Sequence, residues 1–269
     1  MTHRVAIADA ELNVEEHGAG VPVLLVSGLG GRLAFWRPVV PAFAKNFRIV
    51  LHDHRGTGDS TKSKIDYSVR QMADDVLALM DAKKIEKAHL VGHSTGGAIA
   101  QRLALDHPDR VDKIVLSASW AGPDAYFKAL FDLRLKILTD IGPAAYLSDG
   151  ILRAFPPAWL QAHPELITAT EAERLAAFPG IEIEASRIAA VQRHDLRERI
   201  SMISRKTLVI CAADDAITPL PMSQELAAKI PGAMLAVLPM GGHFMPHVDP
   251  ERYARLVLAF LTGQETPHA

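Results

Sequence analysis

A chain of 269 residues has room for one sizeable α/β domain with a full core. Its 29 Lys+Arg against 31 Asp+Glu leave a formal charge of −2 without a long basic run, so neither nucleic acid nor an anionic membrane surface is an expected partner. The single cysteine, Cys211, excludes an internal disulfide and a thiolate metal site, and no apolar run approaches the roughly 18 residues of a membrane span.

Arg4–Glu16 alternates and carries charge, which predicts an edge hairpin. Val21–Ser27, Ile49–Leu51, His89–Val91, Ile114–Leu116, Leu208–Cys211 and Leu235–Leu238 are short apolar runs without alternation. Such strands are expected where helices cover both faces of a parallel sheet. Between them, Val69, Met72, Ala73, Val76, Leu79 and Met80 fall on one helical face, and Ser68 with Gln71 fits a capping box at its start. Near the end, Asp249-Pro250 opens a helix whose buried face is Tyr253, Leu256, Val257, Phe260 and Leu261, and Gly263 stops it. The alternation implies an α/β, doubly wound, mostly parallel sheet.

Between about Trp120 and Arg199 the strand-like runs disappear, and Tyr126, Phe127, Phe131, Tyr146, Phe155, Trp159 and Phe178 accumulate. The expected division is therefore a core of residues 1–119 and 200–269 with a helical lid insertion, 120–199. Such a lid sits over the carboxyl end of the sheet, where ligand sites of open α/β sheets form.

Gly92-His93-Ser94-Thr95-Gly96 follows the strand His89–Val91 and precedes a helical stretch. Gly-x-Ser-x-Gly alone recurs by chance in roughly one chain in ten, from typical abundances of about 7%. Context sharpens it: a nucleophile elbow needs a strand, a strained turn and then a helix. A serine hydroxyl is a poor nucleophile at neutral pH, so it needs a base, and the base needs an orienting acid. The order in such folds is Ser, then Asp or Glu, then His. Asp214-Asp215 follows the strand Leu208–Cys211, and Gly241-Gly242-His243 follows Leu235–Leu238, both at the same sheet edge.

These motifs, with Ser27-Gly28-Leu29-Gly30-Gly31 and Asp53-His54-Arg55-Gly56-Thr57-Gly58, resemble the α/β-hydrolase superfamily over nearly the whole chain. Within it, the chain is most similar to the 3-oxoadipate enol-lactonase and aminoacrylate (carbamate) hydrolase group. Ser-Gly-Leu-Gly-Gly with Trp36, and Phe155-Pro156-Pro157-Ala158-Trp159, resemble the hydrolases. Asp195-Leu196-Arg197 resembles the lactonases. The resemblance implies Ser94 as nucleophile and His243 as base. It selects Asp215, four residues before Pro219, as the acid, leaving Asp214 as a solvated or capping residue and His247 as a surface or lid-facing one. The oxyanion hole is expected from the backbone N–H groups of Leu29 and Thr95, although Ser27 stands where the family usually has histidine.

No metal and no cofactor are expected. His52 and His54 share one strand face without a third ligand, and Pro246 forbids a helical pairing of His243 with His247. The glycines of residues 28–31 miss the dinucleotide spacing because Leu33 stands where the third glycine would be. Cys211 reads as a packed strand residue. Among Arg134, Arg153, Arg187 and Arg193 the resemblance leaves room for one that binds a substrate carboxylate. Trp120 and Trp159 are the expected pocket walls.

The expected activity is serine hydrolysis of a small ester, lactone, amide or carbamate, a carboxylic-ester hydrolase by class. With a histidine base, activity should fall below about pH 6.5. The alternatives are C–C bond hydrolysis or haloperoxidase-like perhydrolysis at the same triad, and a non-enzymatic ligand sensor on the same scaffold. The expected setting is cytoplasmic, as a monomer or homodimer with a small-molecule substrate.

Overall fold

A computed structural model describes residues 2–264, apart from the side chains of residues 166, 168–171 and 174. The sheet follows from strands apolar on both sides. In β3 (Pro22–Val26), Leu24 and Val26 enter one apolar core while Val23 and Leu25 enter the other, all fully buried. The same division splits Ile114 and Leu116 from Val115 in β6 (Val111–Ser117), and Val209 from Leu208 and Ile210 in β7 (Lys206–Ala212).

The remaining strands are β1 (Thr2–Ile7), β2 (Ala10–His17), β4 (Arg48–His52), β5 (Ala88–His93) and β8 (Met234–Leu238). They form an eight-stranded sheet in the order β1-β2-β4-β3-β5-β6-β7-β8. Strands β1 and β2 make the charged hairpin, antiparallel from Thr2↔Glu15 to Ile7↔Ala10, and β2 runs antiparallel to β4. From β4 to β8 every pairing is parallel, so the carboxyl ends of these strands share one edge.

Helices α2 (Val69–Ala82) and α3 (Thr95–Asp106) cover one face; α1 (Val40–Phe43) and α11 (Pro250–Thr262) cover the other. Ser68 caps α2 by accepting from the Gln71 N–H at 3.0 Å, but the expected capping box is only half formed. The Gln71 amide is drawn instead to Asp75, itself held by a two-pronged bond from Arg55. At α11, Asp249 accepts from the Arg252 N–H, Pro250 takes the first turn and Gly263 closes the helix at φ 78°.

Between β6 and β7 the chain is helical: α4 (Ala125–Lys136) running into a π-helical turn at Ile137–Ile141, then α5 (Pro143–Ala154), α6 (Pro157–Ala162), α7 (Pro164–Ala176) and α8 (Ile181–Arg193). After β7 come α9 (Leu220–Lys229) and, past β8, the short α10 (Met245–Val248). Among the described residues no helix is long and apolar enough to cross a membrane.

Candidate active site

The turn from β5 into α3 is built by close approach. A Cβ on Gly92 would lie 2.2 Å from the Gly96 carbonyl oxygen, and one on Gly96 would lie 2.0 Å from the Val26 carbonyl oxygen. With those positions bare, the chain reverses at Ser94, whose φ of 54° and ψ of −117° are strained for a residue with a side chain. The Ser94 N–H donates to the Ser117 carbonyl at 2.8 Å, pinning the turn to β6. Strain held this way aims one hydroxyl off the sheet edge into a cavity.

The acid and the imidazole meet. Asp215 Oδ2 accepts from His243 Nδ1 at 2.9 Å, with both side chains nearly inaccessible to solvent. The carboxylate is held from behind by the Ile217 and Thr218 N–H groups on Oδ1, at 2.8 and 2.9 Å, and by the Thr218 hydroxyl on Oδ2 at 2.8 Å. Asp214 takes a different post. Its Oδ1 accepts from the Gly241 and Gly242 N–H groups, fixing the turn that presents His243, which is a capping role.

Ser94 and His243 both line the cavity, although no hydrogen bond joins the Ser94 hydroxyl to His243 Nε2 among the described residues. His93 packs its ring 4.8 Å from that of His243 and stacks on Phe35 at 4.6 Å. Burial, and then the neighbouring imidazoles of His243 and His247, push His93 well below the ordinary histidine range. It is a neutral wall rather than a second base.

Residues Ser27–Gly31 close over the nucleophile. The Gly31 N–H bonds the Gly28 carbonyl at 2.9 Å, and a Cβ on Gly28 would meet Ser94 Cβ at 3.2 Å. Ser27, in the place of the family's histidine, donates its hydroxyl to the Arg32 carbonyl at 2.8 Å and so braces the turn itself. Leu29 lines the cavity, and the Thr95 N–H, first in α3, has no earlier helical carbonyl to bond.

The cavity holds about 320 Å³. Phe35 and Phe244 wall it from the core side, and Phe131, Arg134, Tyr146, Phe155 and Glu184 from the segment between β6 and β7. The expectation for Trp120 and Trp159 is corrected here, since neither lines the cavity. Trp120 is 1% exposed and packs under α4 against Phe127 at 4.8 Å. Trp159 lies behind Phe155, stacked at 4.7 Å, so the phenylalanine presents the surface. Of the two expectations for His247, the lid-facing one holds: its ring meets Phe155 edge-on at 6.3 Å, it lines the cavity, and its Nε2 lies 2.8 Å from the Phe35 carbonyl.

Of the four arginines, Arg134 alone lines the cavity. Arg153 pairs with Asp149, Arg193 with Asp66, and Arg187 is buried on backbone carbonyls. Tyr146 donates to Glu184 at 2.6 Å, and burial raises the Glu184 carboxyl above its ordinary range. Among the described residues no three His, Cys, Asp or Glu side chains are grouped to hold a metal ion.

A strained serine, a buried His–Asp pair and a glycine-rich turn at one parallel-sheet edge match a known pattern. The family model for the alpha/beta hydrolase fold matches residues 21–250. The chain belongs to the α/β-hydrolase family. A relative from Caulobacter sp. strain K31, named "Putative carbamate hydrolase RutD", is 42% identical over 90% of this chain and 91% of its own length. A hydrolase from Pseudomonas aeruginosa PA01 superposes with a TM-score of 0.88 at 31% identity, over 97% of this chain and 98% of that one. The enol-lactonase from Burkholderia xenovorans LB400 superposes with a TM-score of 0.89 at 28% identity, over 97% and 100%. This α/β hydrolase is thus a hydrolytic enzyme with a small-molecule substrate.

Proposed function

We propose that the protein is a serine hydrolase that cleaves a small carbamate, ester, lactone or amide through Ser94, His243 and Asp215. The observation that carries the reading is the 2.9 Å Asp215–His243 bond at the cavity into which the strained turn delivers Ser94. With Nδ1–H donating to Asp215, His243 keeps Nε2 free of a proton and able to take one. On substrate binding Ser94 closes on Nε2, loses its proton to it and attacks the carbonyl. Asp215 steadies the imidazolium, while the Leu29 and Thr95 N–H groups receive the oxyanion.

His243 then gives its proton to the leaving group. Water, deprotonated by the same nitrogen, releases the acyl group from Ser94. Residues 120–199 act as the lid: their side chains form the substrate-facing half of the wall, and the small volume favours small substrates. The names of the relatives support carbamates and lactones within this class.

The test compares wild type with Ser94→Ala on a panel of small carbamates, enol-lactones, short p-nitrophenyl esters, and a dienoic diketone for C–C cleavage. Turnover of a carbamate, lactone or ester is expected, with Ser94→Ala lower by at least about 10⁴-fold in kcat. Wild-type turnover by Ser94→Ala refutes the mechanism; preferred cleavage of the diketone replaces the substrate class.

A further inference from the structure

Among the described residues, Arg187 on α8 is the most heavily buried charge in the segment between β6 and β7, at 0% exposure. Among the described residues no carboxylate lies within ion-pair distance of it. Its N–H groups go to neutral acceptors: Nη2 to the Leu29 carbonyl at 2.8 Å, Nη1 to the Arg55 carbonyl at 3.0 Å, and Nη2 toward His54 Nδ1 at 3.2 Å. The guanidinium carbon lies over the Tyr67 ring, 5.5 Å from its centre. Glu184 and Asp75 act on Arg187 only from beyond contact, and burying a guanidinium without a carboxylate in contact is costly, so these hydrogen bonds call for a reason beyond filling space.

The acceptors share a location. Leu29 belongs to the turn over the nucleophile, and His54 and Arg55 belong to the turn beside it. The two turns are already laced together by the His54 N–H on the Gly31 carbonyl at 2.7 Å and by the Thr57 hydroxyl on the same carbonyl at 3.0 Å. Arg187 closes this clamp from the opposite side. Its Nη2 would lie 2.9 Å from a Cβ at Gly31, so the guanidinium sits hard against the turn. The Ser27 hydroxyl ties the two ends of the turn together through the Arg32 carbonyl, and Arg187 holds its middle at Leu29. Arg187 is not part of the cavity wall, so it acts on substrate only through Leu29.

We propose that Arg187 is a positioning residue for hydrolysis: by gripping the Leu29 carbonyl it keeps the Leu29 N–H aimed at the developing oxyanion, and it makes the lid a working part of the oxyanion hole. This rests on the serine-hydrolase reading above. A misaimed donor weakens binding of the transition state more than binding of the ground state, so the loss falls on kcat.

The experiment uses Arg187→Met, which fills the space without a donor, and Arg187→Gln, which offers a single N–H. Both are compared with Ser94→Ala on the fastest panel substrate, with thermal melts to establish folding. For Arg187→Met, kcat is expected to fall by about 100-fold with KM within about threefold of wild type. For Arg187→Gln, kcat should fall by about tenfold. A short alkyl trifluoromethyl ketone, which binds as a tetrahedral adduct, should lose affinity in parallel with kcat, a change that mere loosening of the fold does not produce.

If Arg187→Met does not fold, Arg187→Gln decides. Wild-type kcat within twofold in either folded variant overturns the proposal, as does a loss confined to KM. Full turnover by Ser94→Ala would instead remove the hydrolase mechanism, which keeps the two failures distinct.

Discussion

Replacing Asp215 by Asn leaves the shape of the site intact and reverses one hydrogen bond. In the native chain Oδ1 accepts from the Ile217 and Thr218 N–H groups, and the Asn carbonyl oxygen does the same. The amide NH₂ then falls where Oδ2 stood, 2.8 Å from the Thr218 hydroxyl and 2.9 Å from His243 Nδ1. The hydroxyl can turn and accept. His243 Nδ1 must also accept, which moves the imidazole proton to Nε2, the nitrogen that has to receive the Ser94 proton.

The wrong tautomer is typically worth about 10⁴-fold in kcat, close to 5 kcal/mol of transition-state stabilisation. Asp214→Asn is the matched control. Its oxygen still accepts from the Gly241 and Gly242 N–H groups, so kcat should stay within a few-fold of wild type. Steady-state hydrolysis of a p-nitrophenyl ester, with circular dichroism melts for both variants, measures this. An Asp215→Asn enzyme within tenfold of wild type, or an Asp214→Asn enzyme equally damaged, would refute the reasoning.

Buried, uncharged histidines make the fold sensitive to acid. Burial lowers both His52 and His194 from 6.5 to about 4, so the unfolded chain takes up protons from about pH 6.5 downward while the folded chain does not until about pH 4. The stability these residues contribute is whole above pH 6.5 and is lost as pH falls toward 4, about 2 kcal/mol each between pH 7.5 and 5. Urea unfolding at the two pH values should show His52→Gln with a smaller pH dependence than wild type; an unchanged difference contradicts this. Gly96→Ala places a methyl 2.0 Å from the Val26 carbonyl oxygen and 2.7 Å from that of Ser27. It should cost about 3 kcal/mol in urea unfolding, and a variant within 0.5 kcal/mol of wild type, on the order of the scatter among neutral surface changes, would show that the turn is not so tightly packed.

Much of this architecture was legible because strand burial and helix caps are local signals. The unbroken apolar runs of β3 and β7, Ser68 before α2 and Asp249 before α11 each announce their element within a few residues. The elbow was legible for a different reason: a strained turn restricts residue types, so glycines stand on either side of Ser94, whereas Asp215 was chosen over Asp214, and His243 as the base, by the family resemblance. The pocket walls were not. Trp120 and Trp159 have the right size and lie in the right segment. Which face of a helix meets the cavity depends on how α4, α5 and α6 pack, and that carries no local mark. For His247 the choice between surface and lid was left open likewise, because its ring is set at the cavity by a contact with Phe35, 212 residues away in sequence. Ser27 and Arg187 reach backbone carbonyls, acceptors that every residue has, so no motif records the bond.

Covalent trapping tests the nucleophile most directly. The protein is incubated with a fluorophosphonate ester, and intact mass and peptide mapping locate the adduct. One phosphonyl group per chain on the peptide bearing Ser94, absent in Ser94→Ala and slowed in Asp215→Asn, is the expected result. An adduct on another residue, or none while the wild-type enzyme still hydrolyses its ester, would contradict the assignment.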